Sequence, residues 1–121
     1  MVGPVPMRVT SSLFVAVLLR RAALAGAQGV VVRHGSDEAG AIFVSIDRLD
    51  GTVDLYSPAP QSLLTDDDDL PSDRMFTRLA ERAPSADIDT RLAKEIRFDP
   101  DVWLVVIEDR EGRSFVEIAK G

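Results

Sequence analysis

Val102-Trp103-Leu104-Val105-Val106-Ile107 is apolar at every position, so no alternation of its side chains leaves a polar face. A short run rich in β-branched residues reads as a strand. Hydrophobicity on both of its faces places it at the centre of a sheet, with strands along its edges and helices over a face. A strand of that kind demands a real core around it. The 121 residues, 45% of them hydrophobic, are enough to supply one without metals or disulfides.

The flanking patterns fill in the rest. Between Val30 and Ser57 the period is two. Val30-Val31-Val32 is a β-branched run ending at His34-Gly35, and residues 36–40 read as a turn. In the next segment Ile42, Val44 and Ile46 face one way and Phe43, Ser45 and Asp47 the other. Asp50-Gly51 suits a tight reversal, because both residues tolerate positive φ. Thr52 to Ser57 alternates again, with Val53 and Leu55 opposite Asp54 and Tyr56. These spacings predict a three-stranded antiparallel meander, which Pro58-Ala59-Pro60 ends. At the other end, Asp109-Arg110-Glu111-Gly112 reads as a turn, and Ser114 to Ile118 as a strand returning to form a hairpin.

Three segments read as helices. The first starts at Ser11 or Ser12 as cap, presents Leu13, Val17 and Leu24 with Phe14, Leu18 and Ala25 as its apolar face, and stops at Gly26 or Gly29. Its Val-rich centre leaves a strand as the alternative. The same stretch imitates a secretory signal peptide, but Arg20-Arg21 cut the apolar run after only seven residues, far short of the ~20 that span a bilayer. The second runs from about Pro71 to Arg82 on a stripe of Met75, Phe76 and Leu79. The third starts near Ser85 as cap and carries Ile88, Leu92 and Ile96 at intervals of four. The expected fold is therefore α+β: an N-terminal helix, an antiparallel sheet of four to five strands (meander plus C-terminal hairpin), and two further helices packed on it. Residues 8–121 form the single domain and residues 1–7 a tail, with Met7 a second candidate for the natural start.

Composition removes several functions. There is no cysteine, hence no disulfide framework, thiol nucleophile or Cys-based zinc site, and the one histidine, His34, excludes sites needing two imidazoles. A net charge of −6 argues against nucleic acid as a partner, since phosphate contacts need a basic surface. No phosphate-cradling Gly-rich loop or nucleophile elbow is present, and no cofactor is expected.

The remaining candidates each carry a plainer alternative. Asp66-Asp67-Asp68-Asp69 offers carboxylates for Ca²⁺ or Mg²⁺ but lacks the alternating spacing and glycine of a calcium loop, so a solvated loop accounts for it. Arg74, Arg78 and Arg82 form a row on the expected second helix that would grip an acidic partner or phosphate; an exposed charged face is the simpler account. His34 would carry a proton near neutral pH, though no serine or carboxylate is placed beside it. Asp47, Asp50 and Asp54 would converge at a hairpin end for metal-assisted hydrolysis, yet hairpin ends gather Asp for turn geometry. Arg20, Arg21, Arg33 and Arg48 are the cations for a phosphate ligand. The loop from Asp47 to Gln61 is the expected binding surface, with Arg48, Tyr56 and Gln61 its polar candidates.

Several stretches carry a family resemblance: Leu18-Leu19-Arg20-Arg21-Ala22, residues 38–44, residues 47–56, Pro58-Ala59-Pro60-Gln61-Ser62, Arg97-Phe98-Asp99-Pro100-Asp101-Val102-Trp103 and Ile107-Glu108-Asp109-Arg110. Through them the chain resembles the alphaproteobacterial domain-of-unknown-function family 1491, whose members begin near the position of Met7. The resemblance implies a soluble bacterial protein and transfers no activity, ligand or catalytic residue. The expectation is a cytoplasmic, non-catalytic interaction or accessory module that binds a protein partner rather than a membrane. The hydrolase built on Asp47, Asp50 and Asp54 and the phosphate binder are its rivals.

Overall fold

The computed structural model describes residues 10–60 and 74–119. The expected tail, the Asp66–Asp69 tract, Gln61 and the predicted helix start at Pro71 lie outside them. In chain order the elements are α1 (Ser11–Leu24), β1 (Gln28–Arg33), β2 (Ile42–Asp47), β3 (Thr52–Pro58), β4 (Met75–Pro84), α2 (Ser85–Phe98), β5 (Trp103–Glu108) and β6 (Glu117–Ile118). They build one mixed sheet in the order β1-β5-β2-β3-β4-β6. The pairs β1/β5, β2/β3 and β3/β4 are antiparallel, and β2/β5 and β4/β6 are parallel.

The doubly apolar strand is central, as its composition requires, and both of its faces are covered. Trp103, Val105 and Ile107 of β5 join Ile42, Val44 and Ile46 of β2 beneath α1. Leu104 and Phe43, with Val102, join Val53 and Leu55 beneath Ile88 and Leu92 of α2. The α2 stripe and the alternation in β2 and β3 follow the sequence reading. The sheet is mixed and six-stranded rather than antiparallel and four- to five-stranded, because β5 inserts between β1 and β2 where a meander was expected. The segment between β1 and β2 does not reverse tightly. It wraps the start of β5 instead: Ser36 N–H donates to Asp101 O, and Trp103 Nε1 donates to Ser36 O at 2.7 Å. Gly35 is needed there, since a Cβ would collide with the Asp101 carbonyl and the Trp103 ring.

In the described part of the expected helix over residues 71–82, Met75 to Arg82 belong to the strand β4. Phe76 and Leu79, three apart, mimic a helical stripe, but on a strand that interval puts them on opposite faces: Phe76 enters the α1-side core and Leu79 packs on the α2-side core. Pairing with β3 overrides the local pattern. The C-terminal strand is two residues long and pairs with β4 rather than β5, because Phe115 and Val116 first pack on the α1-side core.

In α1 the cap is Thr10, whose hydroxyl accepts from Leu13 N–H, and the buried row is Ser11, Val15, Leu18 and Ala22. Of the expected face, Leu13, Val17, Leu24 and Ala25 are exposed, whereas Leu18 is buried and Phe14 packs against the core. Both rows have the same 4-3-4 spacing, so periodicity cannot choose between them. Close approach can, because small Ser11 and Ala22 let the backbone sit low on the sheet while Ser11 Oγ donates to Gly40 O at 2.6 Å. For α2 the cap is Pro84, and no side chain caps it; Ser85 N–H instead donates to Gly51 O.

This orientation of α1 has a measurable consequence. Leu18→Ala will cost about 2–5 kcal/mol in urea denaturation, whereas Leu13→Ala will stay within about 0.5 kcal/mol of the parent. A larger loss from Leu13→Ala would mean that the helix is turned the other way.

Candidate functional site

Asp47, Arg48, Asp50 and Asp54, four of the polar residues singled out by sequence, sit where β2 and β5 end. Asp54 is fully buried and Arg48 nearly so. Arg48 Nη2 donates to Asp54 Oδ2 at 2.7 Å, and its Nε bridges both carboxylate oxygens at 3.2 Å. Asp54 Oδ1 also accepts Arg82 N–H at 2.8 Å, in a stretch of β4 where the register with β3 shifts and Arg82 has φ +52°. The bond to Asp54 holds the Arg48 guanidinium further above its ordinary pKa. Gly112, at φ +73°, lies against that guanidinium, where any side chain would collide.

The neighbouring carboxylates shape the turn. Asp47 Oδ1 accepts Leu49 N–H at 2.8 Å, with Leu49 at φ +64°, and Asp50 accepts both the N–H and the hydroxyl of Thr52. The Thr52 hydroxyl is the main cause that lowers the Asp50 pKa. Asp47, Asp50 and Asp54 therefore address three different partners. Among the described residues, no group of three His, Asp or Glu side chains is placed to hold a metal ion. Tyr56 is buried in the α1-side core, so neither it nor Arg48 is presented to solvent.

Several other cations are bonded within the protein. Arg113 clasps buried Asp109 through Nε and Nη2, both at 3.0 Å, which lowers the Asp109 pKa. Arg21 donates to Phe115 O and Arg33 to Pro100 O. Arg33 and Arg48 lie at opposite ends of the β5 neighbourhood, so the four arginines of the phosphate reading do not form one cradle. Arg78 pairs with Glu81. Arg74 donates to Ser11 Oγ at the edge of a cavity of about 350 Å³ lined by residues 39–42, Pro58, Ala59, Met75 and Phe76, and its burial there lowers its pKa. His34 Nε2 contacts Asp37 Oδ1 at 2.8 Å and its ring tilts onto Trp103, both polar groups remaining exposed.

What the fold leaves uncovered is an apolar surface. Leu13, Val17 and Leu24 on the outward side of α1 are 53%, 45% and 79% exposed. Exposed Ala16 and Ala23 flank them, and Arg20 completes the row at the same 4-3-4 spacing. Arg20 makes no hydrogen bond or ion pair among the described residues. Beside the helix runs a groove of about 380 Å³, lined by Leu19, Ala23, Ala27, Gln28, Gly29, Val30 and Glu108. It leads to β1, an edge strand with Val30 and Val32 exposed and a register shift between Val31 and Arg33. A helix apolar on all sides is ordinarily a covered one. The sequence held this feature in its two equivalent apolar rows, of which a sheet can bury one.

A family model described as a protein of unknown function (DUF1491) matches residues 9–117. The solution structure of a protein from A. tumefaciens is 37% identical, with 95% of this chain and 98% of that one covered at a TM-score of 0.79. The crystal structure of a DUF1491 family protein from Caulobacter crescentus CB15 is 35% identical, covering 95% and 100%, at a TM-score of 0.75. An NMR structure of a DUF1491 family protein from the same organism is 36% identical, covering 95% and 99%, at 0.74. No curated protein matches.

Two measurements test the polar end. Asp54→Ala strands the Arg48 charge and will cost about 3–5 kcal/mol. The double change Arg48→Met, Asp54→Leu will cost clearly less than the two single changes added together, and strict additivity would refute the coupling. Asp109 has its pKa depressed in the folded state by Arg113, so its contribution is complete above the unfolded value of about 3.9 and is lost as pH falls through the lower folded value. The Tm gap between the parent and Asp109→Asn will therefore be largest near neutral pH and shrink below about pH 4. A gap that widens on acidification would reverse this assignment.

Proposed function

The chain belongs to the DUF1491 family, and we propose that it works as a non-catalytic protein-interaction module whose docking face is the outward side of α1. The observation that carries this reading is the row Leu13, Val17 and Leu24, left bare on a helix whose other apolar row already fills the core. Burying a leucine side chain is worth about 1.5–3 kcal/mol, so a partner covering this row gains a central apolar anchor. The groove beside Ala23 and the exposed Val30 and Val32 extend the same surface toward β1.

The rival chemistries have less support. Hydrolysis through Asp47, Asp50 and Asp54 asks three carboxylates to face one ion, whereas each is engaged separately. A phosphate cradle from Arg20, Arg21, Arg33 and Arg48 asks for convergence of groups that serve distant parts of the fold. No described helix is long and apolar enough to cross a membrane. A cytoplasmic setting belongs to the proposal.

The test uses the intact protein as bait in a lysate, beside Leu13→Glu/Leu24→Glu and the milder Leu13→Ala/Leu24→Ala. Both variants alter exposed positions and will keep the parent's circular dichroism and Tm within a few degrees. A stoichiometric companion held by the parent and lost by the Glu variant is the expected result. No companion, or one indifferent to both variants, would sink the proposal.

A further inference from the structure

The charges of this protein are segregated along its length. No Asp or Glu occurs before Asp37, so α1 and β1 carry Arg20, Arg21 and Arg33 with no acid between them, while all 20 acidic residues follow. Arg21 and Arg33 are bonded to the carbonyls of Phe115 and Pro100. Arg20 is exposed in the middle of the outward apolar row, with nothing bonded to it among the described residues. We infer that α1 receives an acidic amphipathic helix of a partner protein, whose apolar row beds on Leu13, Val17 and Leu24 and whose carboxylates pair with Arg20. The inference rests on α1 being the docking face and adds what docks there.

Spacing and size favour a helix. Leu13, Val17, Arg20 and Leu24 repeat at 4-3-4, the seam along which two helices interlock side chains. Ala16 and Ala23 beside the seam let a second helix approach to the usual interaxial distance of about 8–10 Å. The 14 residues of α1 are about 21 Å long, which matches a partner helix of about four turns.

Charge selects among possible occupants. A second copy would bring another acid-free helix against this one, adding a second Arg20 to the interface with no counter-charge on either helix. An anionic bilayer would attract Arg20 and Arg21 but repel the remainder of a chain whose net charge is −6. A separate acidic helix feels the same net charge but contacts α1 alone, where it pairs with the arginine and meets no acid, Glu108 lining the adjoining groove. Its electrostatic share is weakened by salt, while the leucine contacts are not.

The experiment titrates the full chain with three synthetic helical peptides of about 16 residues that share one leucine row and differ in their flanks: Glu, Gln or Lys. Fluorescence anisotropy will show the Glu peptide binding, more weakly as salt rises, and the Lys peptide failing. Arg20→Glu will weaken the Glu peptide about tenfold and admit the Lys peptide, and Leu13→Glu/Leu24→Glu will abolish both. Equal binding of the Glu and Gln peptides would overturn the acidic partner but keep the docking face. If no peptide binds while a lysate companion is still lost on Leu13→Glu/Leu24→Glu, the helical partner is wrong and the face stands. If neither responds, both readings fall. Self-association in sedimentation, or flotation with phosphatidylserine vesicles, that disappears in Leu13→Glu/Leu24→Glu would name a different occupant and overturn the inference.

Discussion

Trp103, Val105 and Ile107 on one face of β5, with Leu104 on the other, are dry only if strands flank both edges and a helix covers each face. This demand arranges the remainder of the fold. β2, buried on both sides, becomes the parallel neighbour, and a parallel pair requires the long crossover that carries β3, β4 and α2. Among the described residues, two helices close the two faces. α2 lies over β3 and β4, so the outer margin of the sheet at β1 keeps exposed valines. α1 is the one helix on its own face among the described residues, none of which forms a further layer over its outward side. The bare surface is thus a direct product of the way the core is satisfied.

The ion pairs at the ends of β2 and β5 answer a different need. Burying Asp54 and Arg48 has a large desolvation cost, offset only by the three contacts between them and the backbone N–H of Arg82. What this arrangement specifies is register: Asp54 holds the irregular stretch of β4 in place, and Arg48 seats the turn containing Gly112. Asp109 and Arg113 lock the next few residues before the chain crosses to β6. Charges that look chemical in the sequence are consumed here as fasteners.

What was legible from sequence was whatever depends on near neighbours. Alternation in β2 and β3, the reversal at Asp50-Gly51 and the four-residue stripe of α2 all report local geometry, and the structure follows them. What was hidden depends on distant partners. Nothing near β1 indicates that it pairs with a strand some 70 residues later, and nothing within residues 75–84 indicates that β3 will claim them. The inward face of α1 was undecidable from period alone, because rows 11-15-18-22 and 13-17-20-24 are equivalent until small Ser11 and Ala22 meet the sheet. Arg48, Tyr56 and Asp54 drew attention as polar groups near turns, and burial reassigned them to the interior.

Contrast among the arginines then gives the outward row its meaning. Arg21, Arg33, Arg48 and Arg113 each end on a carbonyl or carboxylate of this chain, so their geometry is explained by the fold itself. Arg20 has no such explanation, and it stands among Leu13, Val17 and Leu24, which have none either. Solubility would be better served by acids at these positions, and the chain places 20 of them elsewhere. A helix that keeps one cation in an otherwise apolar outer seam, with no acid before Asp37 in the chain, is what the proposed negative and greasy cover would fit. Among the described residues, neither the core nor the turns require that combination.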